Sequence, residues 1–213
     1  MTTALETITD ALPLNYHTLL YSKRKADTLQ FIRSLAAPAR DQQDAPDEVI
    51  ANVSTFHFVE LSTVIPGLIT ADSLHPGQVS ITAEGQSILT KIIHFFIFIR
   101  YYTHITTAEL LHIHLLLHRL LLGESRNKQE TQTCMVSIAN LGTLLVCAAI
   151  IGLKMNRDHP IKNSWWASMF SVDINVLNQS EIVYLQNIGY RTTMSFEEYQ
   201  QAVQLFDHTS RTS

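Results

Sequence analysis

Read along the chain, apolar positions recur at helical spacing in one segment after another, and no stretch sustains the strict alternation of a half-buried strand. The first such segment runs from about Tyr16 to Ala36, where Leu19, Leu20, Leu29, Ile32 and Leu35 form an apolar set among Lys23, Arg24, Lys25 and Asp27. It predicts an accessory helix. The polar run Arg40 to Asp47, with Pro46 inside it, reads as a linker, and Pro66 to Gly77 as a second irregular connection. A main domain is therefore expected over residues 80–190, preceded by a helical extension and linker over 1–79 and followed by a C-terminal helix and tail over 191–213.

Five helices are predicted within that domain. The first, about Glu84 to Tyr102, carries Ile88, Leu89, Ile92, Ile93, Phe95, Phe96 and Ile99 and has few positions fit for solvent. The second starts at Thr106, whose hydroxyl caps the helix while Glu109 three residues later reaches back, and it is expected to end near Leu122 at a polar loop, Gly123 to Gln132. The third, Thr133 to Lys154, is apolar on every side from Leu141 to Leu153, as befits a helix surrounded by others. A short fourth helix at Asn163 to Phe170 carries Trp165 and Trp166, of which at least one belongs in the core. The fifth follows Asp173, a good N-cap, and stops near Gly189; Ser195 with Glu198 announces a last helix to about Asp207. The fold class is all-α, built around a buried central helix.

Composition narrows the function. The chain is 46% hydrophobic and 16% charged, a balance of folded rather than disordered proteins, and its formal net charge of -4 leaves no excess of cations for phosphates or an anionic membrane surface. Nucleic acid and membrane are not expected partners. Met1 to Asp10 holds acids and threonines where a secretory leader needs a basic start and an apolar run, and Leu141 to Leu153 falls short of the roughly 20 residues that span a bilayer. The two cysteines, Cys134 and Cys147, sit in an apolar helical stretch, which suits a reducing, intracellular setting.

Chemistry-bearing motifs are scarce. There is no glycine-rich phosphate loop, no G-x-S-x-G elbow and no C-x-x-C pair, so neither catalysis nor a cofactor or small-molecule substrate is expected. His114 and His118, four apart, share a helix face, but no H-E-x-x-H pattern accompanies them and His112 points the other way; ordinary packing histidines are the better reading. On the fifth helix Ile174, Leu177, Glu181, Leu185 and Ile188 fall on one stripe at about 100° per residue. A carboxylate in such a stripe needs a cation, and Lys154 at the end of the central helix is the candidate, either as a cation at a helix C-terminus or as a partner for Glu181.

The order of these helices resembles the cyclin box, especially that of the phosphate-pathway (P/U-type) cyclins with a single box. Tyr102-Thr103 leading into Leu110 to Leu122 resembles the family's passage from first to second helix. Leu144 to Glu181 resembles its central helix ending in lysine, then an asparagine with two aromatics, then leucine, asparagine and glutamate; here these are Lys154, Asn163-Trp165-Trp166, Leu177-Asn178 and Glu181. Ile188-Gly189-Tyr190 and Ser195 to Tyr199 resemble the family's ending. The resemblance implies a catalytically inert regulatory subunit that binds and activates a cyclin-dependent protein kinase as a heterodimer. Lys154 and Glu181 inherit the pair that contacts the kinase, with Leu177, Phe95 and Phe98 beside them. One departure stands out: where the family usually pairs a first-helix arginine with a second-helix aspartate, this chain has Phe98 and His118. That leaves open a cyclin-fold interaction protein that does not activate a kinase.

Overall fold

The computed structural model describes residues 27–34, 44–71, 79–131 and 136–207. Residues 27–34 are helical (α1), followed by α2 (Asp47–Val64), strands β1 (Ile69–Ala71) and β2 (Val79–Ile81), α3 (Ala83–Thr103), α4 (Thr107–Thr131), α5 (Leu141–Asn156), α6 (Asn163–Met169), α7 (Ile174–Asn187) and α8 (Phe196–Asp207). The all-α expectation holds, with α5 at the centre: it packs against α4, α6 and α7, while α2 packs against α3 and α4. Every side chain from Leu144 to Leu153 is buried, in keeping with a segment that has no polar face.

Local chemistry sets the ends of the elements. Thr82 accepts from the Gly85 N–H at 3.0 Å and donates to the Gly67 carbonyl at 2.8 Å, so one hydroxyl caps α3 and ties it to the chain before it. His104, at φ 51°, closes α3 in a left-handed cap. In the turn that follows, the Glu109 carboxylate accepts from the Thr106 N–H at 2.9 Å and Thr106 Oγ1 accepts from the Glu109 N–H at 3.3 Å, the capping box expected there. Asp173 accepts from Asn175 and Val176 N–H, Gly189 at φ 61° follows α7, and Ser195 and Glu198 exchange bonds ahead of α8.

Five features differ from the sequence reading. The chain ahead of Ser80 is no mere extension: α2 sends Ile50, Ala51, Val53, Phe58, Leu61 and Val64 into the same core as α3, α4 and α5. The expected linker is partly a buried strap, for Ala45 is fully buried, its N–H reaches the Ile105 carbonyl at 2.8 Å, and Pro46 is the N-cap of α2. Helix α4 continues to Thr131 through the expected polar loop, since Glu124, Arg126, Lys128, Gln129 and Glu130 have good intrinsic helix propensity, and Gly123 alone costs only about 1 kcal/mol. Helix α5 begins at Leu141 rather than Thr133, because residues 137–140 form a turn in which Asn140 Oδ1 accepts the Ser137 N–H at 2.9 Å. A short antiparallel hairpin also pairs Ile69 with Ile81 and Ala71 with Val79, too brief to show as alternation. Cys134 and the start of the first predicted helix lie outside the described residues.

Candidate protein-interaction site

Helix α5 leaves the core at Lys154, Met155 and Asn156, all exposed. Helix α7 runs beside it, anchored by Leu177 and Tyr184, which are almost fully buried. One turn after Leu177, the Glu181 side chain lies at the edge of that contact, 13% exposed. Lys154 Nζ donates to both of its oxygens, at 2.7 and 2.9 Å. The second oxygen also accepts from Asn163 Nδ2 at 2.7 Å, and the other hydrogen of that amide goes to Asn178 Oδ1 at 2.8 Å. Asn163 of α6 thus reaches Glu181 directly and Asn178 of α7 holds Asn163, and both are asparagines of the sequence motif. The amide of Asn163 thereby fixes the orientation of the carboxylate.

The pair sits on a rim that carries exposed apolar side chains, Met155 from α5 and Ile174 and Ile182 from α7. Towards the N-terminal end of α5, helices α3, α5 and α6 with Leu177 of α7 enclose a groove of about 520 Å³ whose walls include Phe95, Phe98, Leu145, Trp166, Phe170 and Leu177. Phe95, Phe98 and Leu177 therefore line one cavity, and Lys154 and Glu181 form one ion pair. The first three serve the chain's own core: Phe95 and Leu177 are buried, and the half-buried Phe98 ring packs on Tyr102 and Phe170 at 4.6 and 5.0 Å between centroids. Trp166 is buried and Trp165 half-buried, dividing core from edge.

No nucleophile accompanies the pair. Burial, reinforced by the nearby Glu181 charge, pushes the Cys147 thiol up to about 12, so it stays protonated and unreactive. Among the described residues no group of three or more histidine, cysteine, aspartate or glutamate side chains could hold a metal, and no helix is long and apolar enough to cross a membrane.

Phe98 and His118 do not meet as a pair. Phe98 faces α6, whereas His118 Nδ1 donates to Glu60 of α2, an acid the sequence reading missed because it lies in the helix it missed. Its neighbour Arg119 donates to the Arg191 and Thr193 carbonyls and to Glu198 Oε1 at 2.6 Å, pinning α8 to α4.

A buried central helix, ringed by helices and ending in a lysine that pairs with a glutamate of the next long helix, is the helical arrangement that the sequence resemblance implies. The family model for cyclins matches residues 29–192, well over half of the chain, and the chain belongs to the cyclin family. No curated protein and no solved structure matches it.

Proposed function

We propose that this chain is a cyclin that binds and activates a cyclin-dependent protein kinase as a heterodimer in the cytoplasm or nucleus, in cell-cycle or phosphate-type nutrient signalling. The observation that carries the reading is the Lys154–Glu181 pair, held by Asn163 beside exposed apolar residues. Two of the lysine's three N–H groups go to Glu181, which leaves one for a partner's carbonyl, and the carboxylate keeps lone pairs for a partner's N–H. Apolar anchors around a fixed polar pair are what a specific interface needs, and one of this kind buries on the order of 2,000 Å².

The chemistry stays on the kinase. Binding through α3, α5 and α7 favours the kinase conformation whose own lysine–glutamate pair is assembled, so activation is a shift of population, and no residue of this chain touches the phosphate. A second reading, a cyclin-fold protein that binds without activating, is favoured by one observation: Phe98 and His118 stand in place of the family's arginine–aspartate pair and contact different elements.

Affinity purification from the native cell, with wild type and a Lys154→Ala/Glu181→Ala variant, tests the reading. A protein kinase recovered with wild type and lost with the variant supports it, and phosphate transfer by that kinase with and without the chain separates activator from silent binder. Absence of any kinase from both samples would refute it.

A further inference from the structure

Four polar side chains that the interaction site does not use join α2 to α4 beneath the ring of Phe56. His118 Nδ1 bonds one oxygen of Glu60, His57 Nδ1 lies 3.2 Å from the other, and His57 Nε2 lies 3.1 Å from His114 Nδ1. The proton positions follow from chemistry. An ionised carboxylate only accepts, so both Nδ1 atoms facing Glu60 carry hydrogen; a neutral His57 then accepts at Nε2, and His114 donates its Nδ1–H. The chain of bonds runs one way, from His114 through His57 to Glu60. His114 and His118 also line a groove of about 460 Å³ between α4 and α8, and His114 Nε2 has no hydrogen-bond partner among the described residues.

We propose that these residues form a pH-operated latch: at neutral pH the ordered chain clamps α2 on α4, and a further proton, entering from the groove at His114 Nε2, releases α2. The proton balance is simple. One proton arrives from solvent at His114 Nε2, the Nδ1 proton of His114 passes to His57 Nε2, and the cluster gains one positive charge. The added charge then lies among three imidazoles that share one carboxylate in a largely buried site. The groups facing them are Glu60 on α2 and Arg119 on α4, whose charge is answered by Glu198 of α8; α3 and α8 present the rings of Phe96 and Phe206. The environment agrees: burial, then the neighbouring His57, holds His114 well below its usual value, so it resists the proton, while the bond to Glu60 raises His118.

The inference is independent of any kinase partner. Hydrogen exchange by mass spectrometry on the full chain, at about pH 7.5 and about pH 5.5 and corrected for intrinsic chemistry, reads it directly. Protection of α2 is expected to fall about tenfold more than that of α5 at the lower pH, and His114→Leu should abolish the difference. Equal loss in α2 and α5 in wild type, or an unchanged pH response in His114→Leu, overturns the latch. Because His114 is buried and the variant could fold poorly, nitrogen NMR of the wild-type histidines gives a second reading: His114 with hydrogen on Nδ1 alone near neutral pH supports the direction of the chain, and hydrogen on Nε2 overturns it.

Discussion

Arg100 Nη1 lies 2.6 Å from Asp47 Oδ1 and 3.2 Å from the Ala45 carbonyl, so a guanidinium only 2% exposed joins the end of α3 to the first turn of α2 and the strap before it. The acid is worth more to the fold than its place at a helix start suggests. Asp47→Ala removes this charge-assisted bond while the Ala45 carbonyl still holds the guanidinium; as Asp47 is partly hydrated, a loss of about 1–3 kcal/mol is expected. Urea unfolding of the two proteins measures it, and a change below about 1 kcal/mol would show that water already neutralises the pair.

The Lys154–Glu181 pair should behave in the opposite way. Lys154 is 36% exposed, and an ion pair that water reaches contributes modestly, so Lys154→Ala is expected to shift stability by no more than about 1 kcal/mol while kinase recovery drops. A melting curve alongside the purification separates the effects. If stability collapses with binding, the pair is structural and the binding loss is secondary.

Acid should act on the α2–α4 contact through Glu60. Burial alone would raise its carboxyl, but the bonds from His118 and His57 outweigh this and hold it at about 2, against 4.5 when unperturbed. A depressed carboxyl stabilises the fold above its unfolded value and loses that contribution as pH falls, here from about 4.5 towards 2. The amount at stake is on the order of 3 kcal/mol. Burial likewise raises the Glu109 carboxyl, but the Arg157 and Thr106 bonds outweigh it and its net shift is also downward. Denaturant midpoints taken down this pH range should fall less steeply in Glu60→Gln than in wild type; parallel curves would rule the contribution out.

What was legible in the sequence, and what was not, follows from where polar side chains go. The capping residues Thr106, Asp173 and Ser195 announce helices α4, α7 and α8, because each bonds within its own turn. Lys154 and Glu181 are legible as partners because a charge on an apolar stripe demands one. Helix α2 was not legible, because several of its polar residues are buried and bonded from a distance: Asn52 donates to the Phe206 carbonyl at 3.2 Å, Thr55 to Thr28 Oγ1 at 3.3 Å, and His57 meets His114. Such residues break the apolar stripe that periodicity looks for. Asn163 was legible as a motif residue but not as the donor that fixes Glu181, since its contact depends on how α6 lies against α7.

Close approach of α4 and α5 gives the last prediction. A Cβ at Gly152 would stand 2.6 Å from Ile113 Cγ1, so these helices touch where glycine removes the side chain. In the sequence this glycine only interrupts an apolar run. In the fold it sets the distance at which α5 is buried. Gly152→Ala should therefore destabilise by about 1–3 kcal/mol through overpacking, even though alanine favours helix by about 1 kcal/mol. Ile113→Ala removes the obstructing atoms but opens a cavity, at a typical cost of about 2–5 kcal/mol on its own. Combined, the two changes should cost less than the sum of the singles, because the new methyl occupies part of the vacated space. Denaturant unfolding of the four proteins gives the coupling, and strict additivity would mean that α4 and α5 can separate at this point without loss of packing.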